Sequence, residues 1–433
     1  MSSLAIAQPA RFEPIVTAPQ IYPWTEVHAW LDLLPMLFIT VGGWIQAGTG
    51  PVAFRFTALA EDSLERRLVR IAFSLLIVLL ISTRFKRVME LCRRERAILV
   101  MPAIAFISLL WSQNRGHTLA DAINLALSTL FAVYLYGRYP NKRLLSFLVF
   151  AAGITLLMCV ASVIVTPSVG IDSFQQDAWR GVFGQRNNCA VVCVLFLLVS
   201  LHYQSRTLTE RMVRGGVLVV SSVFILMSGS RTGWLLAGLT LALTFGLRLI
   251  QRMGSLDRIV LLVGLTLPFA ILIGLVALNF NQALALIGKD PTLTQRTVIW
   301  SEVIPSIAER PFQGYGYSAF WMGLNGESER AVLATGWMEG QAQDGYLDVL
   351  LGLGVVGFVP LCWMFCRGLV QAWRTIQANA IAPQIQLAIV LLIAVMAQNI
   401  GETSILLPLG IPWFYAVLAF LILAFATKDA EVL

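Results

Sequence analysis

Long apolar runs separated by short polar links fill the chain from about residue 31 onward. They lie near residues 31–45, 71–82, 97–111, 119–136, 144–165, 188–203, 217–227, 234–247, 259–278, 346–364, 385–400 and 411–426. About 20 apolar residues in α-helix span the hydrocarbon core of a bilayer. The pattern therefore predicts an all-α, polytopic membrane helix bundle of about 12 spans, or ten to eleven if the shorter runs do not cross. Residues 1–30 hold Pro9, Pro14, Pro19 and Pro23 and no apolar core, so they read as a tail and not as a signal peptide.

Composition agrees with a membrane protein. Of 433 residues, 58% are hydrophobic and 13% charged, with mean hydropathy +0.76; a soluble globular chain carries about 25% charged residues. Charge orients the bundle. The segment 84–96 carries Arg84, Lys86, Arg87, Arg93, Arg94 and Arg96, which marks it as cytoplasmic. Alternating from there, Arg138/Lys142/Arg143, Arg206/Arg211/Arg214, Arg248/Arg252/Arg258 and Arg367/Arg374 fall on the same side, as do Arg11 and Lys428. Both termini are then expected in the cytoplasm. The net charge of +7 is mostly this orientation signal and gives no support to nucleic-acid binding. Cys189/Cys193 and Cys362/Cys366 are i,i+4 pairs in apolar helices with no histidine near, so they read as small buried residues, neither metal ligands nor a disulfide framework.

The chain divides into the tail, a first membrane part over 31–279, an extracytoplasmic loop over 280–344, and the last spans with a short cytoplasmic tail over 345–433. Loops of this length are usually functional or disordered. This one contains Trp300, Phe312, Tyr315, Tyr317, Phe320, Trp321 and Trp337, a composition that argues against disorder. Within it, TQRTVIW followed by SEVIPSIAER gives a helical stripe of Trp300, Val303, Ile304 and Ile307, with Thr294 as N-cap and Pro305 kinking or dividing the helix. Arg296 lies on that stripe in the first turn, where the helix dipole disfavours a cation unless an anion joins it. A phosphate clamp and a cation paired with a carboxylate are both open readings. Two more polar clusters flank apolar helices, WRGVFGQRNN at 179–188 and SGSRTGW at 228–234. Arg231 sits between two apolar runs, where an ionisable group is expensive and usually functional. Arg186, at a span mouth, fits an interfacial anchor equally well. Three guanidinium groups on one side point to a polyanionic ligand delivered from the membrane.

Taken in order, WRGVFGQRNN, SGSRTGW, LTQRTVIWSEVIPSIAERPFQGYGYSAFW (293–321) and AQDGYLDVLLGLGVVG (342–357) resemble the O-antigen ligase and polysaccharide polymerase superfamily, and most of all its exopolysaccharide-production polymerases. WSQNRG (111–116) and NIGETSILL (399–407) fit more loosely. The resemblance implies a metal-independent, cofactor-free membrane glycosyltransferase of class C type in the bacterial inner membrane. Its donor would be an oligosaccharide on undecaprenyl diphosphate, and its acceptor another glycan chain (polymerase) or lipid A core (ligase). Membrane lipid, a chain-length regulator and export proteins are the other partners implied. The family's diphosphate-binding arginines map to Arg231 and Arg296, with Arg186 at a position usually lysine. Tyr315, Tyr317 and Trp321 are the candidates for stacking on acceptor sugar.

The chain departs from the family in EGQAQDGYLDVL (339–350). Where the family reads Ala-His-Asn, with the histidine as general base, this chain has Gln343 and Asp344. Gln185 stands at a second histidine-like position. Of His28, His117 and His202, only His117 is expected outside, in another loop. Gln343 takes no proton but can hold a hydroxyl. Asp344 reads as the N-cap of the next helix and, with Glu402, as a substitute base. A general base contributes about 10²–10⁴-fold, so the enzyme reading stands without histidine. A secondary transporter would want its ionisable groups at mid-membrane. A non-catalytic export component is the other rival, supported by Gln343.

Overall fold

The computed structural model describes residues 27–45, 64–172, 177–250, 296–324, 326–336, 340–378 and 382–431. Residues 1–26 of the expected tail, the run 259–278, Thr294 and Trp337 lie outside these, as do residues 280–295 of the expected loop, while residues 27–30 already belong to the first helix. The described chain is almost wholly helical. Helices α1 (Val27–Ile45) and α2 (Leu64–Thr83) precede α3 (Phe85–Arg94), an amphipathic helix that turns by 86° from α2 and buries Val88, Leu91 and Cys92. The basic stretch 84–96 is thus mostly helix. Then come α4 (Val100–Ile107), between two 3-10 turns, α5 (Arg115–Arg138), α6 (Asn141–Val165) and the one-turn α7 (Pro167–Gly170). A two-residue antiparallel pair, β1 (Ile171–Asp172) with β2 (Ala178–Trp179), leads into α8 (Arg186–His202), α9 (Leu208–Met227) and α10 (Arg231–Ile250). The second part holds α11 (Arg296–Glu309), α12 (Glu329–Thr335), α13 (Gly345–Gln377), α14 (Pro383–Gln398) and α15 (Ile411–Glu431).

Local chemistry sets several starts. Asn114 Oδ1 accepts the His117 N–H at the head of α5 (3.1 Å). Thr207 and Glu210 form a reciprocal capping box at α9, which satisfies two of the donors left open at a helix N-terminus. Pro383 opens α14, where its missing N–H is harmless.

Eleven of the twelve apolar runs fall on described residues, and all eleven are helical. By length and composition α5, α6, α10 and α13 are long and apolar enough to cross a membrane, and a fifth crossing results if α2 and α3 count as one bent span. Twelve crossings are not what the structure shows. The shorter helices α8, α14 and α15 are mostly apolar and buried on nearly every face, with Ile411–Ala424 enclosed almost completely. A helix apolar on every side belongs inside a bundle, and here these three form its centre.

One long apolar run conceals a break. In α13, Gly354 has φ +59° and ψ −159°, a conformation open only to glycine. The backbone groups freed there are taken by the segment before α12. Tyr315 N and Gly316 N donate to the carbonyls of Leu351 and Gly352 (2.8 and 2.9 Å), while Val355 N and Val356 N donate to Pro311 O and Phe312 O (2.9 and 3.0 Å). A Cβ at Gly354 would lie 2.4 Å from the Phe312 carbonyl, so no side chain fits. Broken helix is tolerated at membrane depth only where such partners exist. The WSQN tract supports the same segment from the other side. Trp111 Nε1 donates to Gln313 O (2.7 Å), Gln113 Nε2 to Ala319 O (2.6 Å) and Thr118 Oγ1 to Tyr317 O (2.8 Å).

Two expectations for α11 change. Its helix runs unbroken through Pro305. Its buried face is Ile299, Val303 and Ser306, whereas Ile304 is 56% exposed. Arg296 stays on the buried face, three and seven residues before Ile299 and Val303.

Candidate functional site

Arginine is the first residue of α8 and of α10 and the first described residue of α11. A cation at the positive end of a helix is electrostatically misplaced unless negative charge joins it. At the close approach of α8 and α10, a Cβ on Gly233 would lie 2.4 Å from the Ala190 Cβ. Ser230 Oγ accepts the Gly233 N–H (3.1 Å) and so fixes the turn that carries Arg231.

The link between α14 and α15 supplies the negative charge. Gly401 N and Glu402 N both donate to Gln398 O (3.1 and 3.0 Å), and Asn399 Oδ1 accepts Ser404 N and Ile405 N (2.9 and 2.8 Å). In this tight turn Glu402 is 2% exposed. Its Oε1 accepts Arg296 Nη2 at 2.7 Å and Asn187 Nδ2 at 2.6 Å, while its Oε2 is buried with no hydrogen-bond partner among the described residues. Burial raises the Glu402 carboxyl above its ordinary value, and Arg296, Asn187 and Arg186 oppose that without cancelling it. Gly401 lies against both neighbouring helix heads, since a Cβ there would be 3.4 Å from Arg296 Nη1 and 3.6 Å from Thr232 Cγ2, ordinary contact distances. Segments near residues 186, 231, 296 and 402 therefore converge on one point. Arg296 meets Glu402 directly. Arg186 favours its ionised form through space and lies against the Gly229 turn, where a Cβ would be 3.6 Å from its Nη1, and Arg231 follows at the exposed head of α10 beside Thr232.

Beside this point stands the start of α13. Asp344 is its N-cap, as the sequence predicts, and Oδ1 accepts the N–H groups of Tyr346 and Leu347 (2.9 and 3.0 Å). Burial raises its carboxyl, with those two N–H groups and Arg296 working against the rise. Gln343 has φ +55°, the left-handed region in which non-glycine residues are uncommon. Its side chain makes no hydrogen bond among the described residues and is half-buried. Gly345 N donates to Asn399 O (2.8 Å), which ties this start to the turn carrying Glu402.

The aromatic candidates divide. Tyr315 is fully buried, its hydroxyl donating to Ser306 O (2.9 Å), with Arg310 over its ring and Phe320 against its edge. Tyr317 is 5% exposed and donates to Leu406 O. Both brace the loop and offer no ring face to a sugar, which corrects the expectation for them. Trp321 is half-buried, packs edge-on against Phe320 and donates from Nε1 to Asp348 Oδ1 (2.7 Å). Gln185 is exposed and makes no cap bond at α8. His117, half exposed, lies 3.4 Å from the buried Asp121, and His202 is buried with Nδ1 on Leu198 O.

Sequence reasoning passed over Asn187, Thr232, Asp348 and Thr403. Asn187 was visible as the polar residue after Arg186 in RNN, and Asp348 as a second carboxylate one turn beyond Asp344. Nothing local in the sequence marks Thr403 as the partner of Asp348.

Two comparisons with known proteins bear on this site. The family model described as O-antigen ligase matches residues 216–362, which include Arg231, Arg296, Gln343 and Asp348. The exopolysaccharide production protein ExoQ of Rhizobium meliloti (strain 1021) is 30% identical over 118 residues, a stretch covering 27% of this chain and 27% of that protein.

Proposed function

We propose that this chain is a membrane glycosyltransferase that polymerises oligosaccharide repeat units delivered on undecaprenyl diphosphate, a reading supported by the match of residues 216–362 to the O-antigen ligase family model and by the similarity to the exopolysaccharide production protein. The observation that carries the reading is the buried Arg296–Glu402 pair, whose second carboxylate oxygen has no partner among the described residues, with the turn that carries Arg231 adjoining. A glycosyl diphosphate donor needs fixed cations that bind more strongly as charge builds on the leaving group. Arg296, Arg186 and Arg231 supply them from three helix heads whose dipoles add to the field. An acceptor hydroxyl attacks the anomeric carbon, the bond from that carbon to the phosphate oxygen breaks, and lipid diphosphate leaves with the electron pair. The hydroxyl proton passes to Glu402 Oε2. Gln343 steadies the attacking hydroxyl, Asp344 keeps the end of α13 in place, and Trp321 offers the sugar a ring face. No metal or cofactor enters these steps.

Polymerisation is favoured over ligation because the name of the Rhizobium relative ties that protein to exopolysaccharide production. The ligase reading draws on the description of the family model. Purified protein given lipid-linked oligosaccharide alone should build a ladder of lengthening lipid-linked glycan. Product that forms only after lipid A core is added would make it a ligase. No product in either case would leave an export component.

The reading requires this site to face the extracytoplasmic side of the inner membrane, with both termini inside. Glu329 is exposed on α12, so Glu329→Cys should react with an impermeant maleimide added to intact cells. Reaction only after the membrane is broken would reverse the orientation.

A further inference from the structure

One turn beyond Asp344, the Asp348 carboxylate takes donors from three separate parts of the chain. Oδ1 accepts Trp321 Nε1 at 2.7 Å. Oδ2 accepts Ala342 N at 2.9 Å and the Thr403 hydroxyl. Ala342 directly precedes Gln343, and Thr403 directly follows Glu402. An indole N–H and a backbone N–H can only donate, so the position fits a group that accepts on both oxygens. A single side chain thus joins the ring of the loop, the head of α13 and the turn that holds the buried Arg296–Glu402 pair.

The backbone beside it needs such a clamp. A non-glycine residue held at positive φ, as Gln343 is, persists only when its surroundings over-determine the conformation. On the N-terminal side they do so twice: Asp348 takes the Ala342 N–H, and Trp300 Nε1 donates to the Ala342 carbonyl at 2.9 Å.

We propose that Asp348 is a positioning residue, which locks Trp321, Gln343 and Glu402 into one geometry so that a sugar lying on the indole presents its hydroxyl to the carboxylate. This rests on the glycosyl-transfer reading above. It adds that the acceptor side and the donor side are joined through one carboxylate and not through general packing. A misplacement of about 1 Å at a reacting centre can lower a rate by about 10²-fold, so a clamp of this kind acts on turnover more than on donor binding.

The test uses full-length protein in detergent or nanodiscs. In Asp348→Asn the amide NH₂ must face either the Trp321 N–H or the Ala342 N–H, so one link opens. Its kcat should fall by about 10-fold or more, with affinity for the lipid-linked donor unchanged within about two-fold. Thr403→Val removes one donor and keeps the shape, Trp321→Phe removes the other together with part of the ring, and each should lower kcat by smaller factors. The pair Asp348→Asn/Thr403→Val should be slower than Asp348→Asn by less than the factor Thr403→Val costs alone, since both act on one network. A readout without turnover accompanies these: a cysteine placed by Gln343→Cys should react with soluble maleimide about five-fold faster once Asp348→Asn frees the segment, on the scale that loss of one such hydrogen bond allows. Label taken up by the chain without that cysteine is subtracted. The proposal is overturned if Asp348→Asn leaves kcat and labelling within two-fold of their reference values, or if donor affinity falls in step with kcat. Should Asp348→Asn fail to accumulate, Thr403→Val and Trp321→Phe decide by the same criteria. A native protein that turns over nothing would defeat the glycosyl-transfer reading, and the labelling rates would still decide the role of Asp348.

Discussion

Arg296→Ala should lower turnover of a lipid-linked oligosaccharide by about 10²–10³-fold, the usual effect of removing one fixed donor to developing negative charge. The physical reason lies in the pairing. Arg296 Nη2 is 2.7 Å from a carboxylate that is 2% exposed, so truncation removes a cation from the leaving group and leaves Glu402 buried without its main partner. Breaking a buried pair from one side can destabilise a fold by up to about 3–5 kcal/mol. Part of that is relieved here, since Glu402 can take a proton. Arg296→Lys should recover only part of the rate, because a point charge cannot reproduce the guanidinium fork. The paired change Arg296→Met/Glu402→Gln separates the two effects: it should restore the amount of folded protein and leave turnover lost. Near-native turnover in Arg296→Ala would reduce the residue to a structural role.

Glu402→Gln should have an effect of similar size, with a change in pH dependence that no arginine variant shares. A proton acceptor works only when ionised. Burial raises the Glu402 carboxyl, so the native rate should be full at high pH and fall as pH drops through a value above that of an ordinary glutamate. The amide has no such step, and Glu402→Gln should be slower by about 10²–10⁴-fold, the typical contribution of a general base, with that acidic limb absent. Gln343→His provides the contrast. It should keep activity and add a second limb near the imidazole value of about 6.5. If Glu402→Gln keeps the native rate and limb, the proton goes elsewhere. If Gln343→His alone creates activity in an otherwise inert protein, histidine is the base this position was built for.

Much of this was readable in the sequence. The apolar runs give the helices, because hydrophobic stretches of this length in so apolar a chain have few other destinations. The three arginines and Glu402 stand out because charge is rare in this chain and costly beside apolar helices. The Asp344 cap follows from one residue type at one helix start. What stayed hidden depends on contacts distant in the chain. Asp348 meets partners 27 and 55 residues away. The Gly354 break lies in LGLGVVG, which looks like continuous span until the Phe312 carbonyl is found pressed against it. Tyr315 and Tyr317 looked like sugar platforms because aromatic residues in a polar loop serve either purpose, and only the fold reveals which rings are covered. The number of membrane crossings does not follow from the runs alone, because an apolar run at the centre of a bundle looks the same in sequence as one that faces lipid.

The most direct measurement is the time course of undecaprenyl diphosphate release from a labelled lipid-linked oligosaccharide by the purified native protein, with no lipid A present. The Arg296–Glu402 centre should release lipid diphosphate in step with new glycan, one glycosidic bond for each diphosphate, and Arg296→Ala should release almost none. A donor that stays intact with the native protein, or that loses its lipid diphosphate to water with no glycan made, would contradict the account.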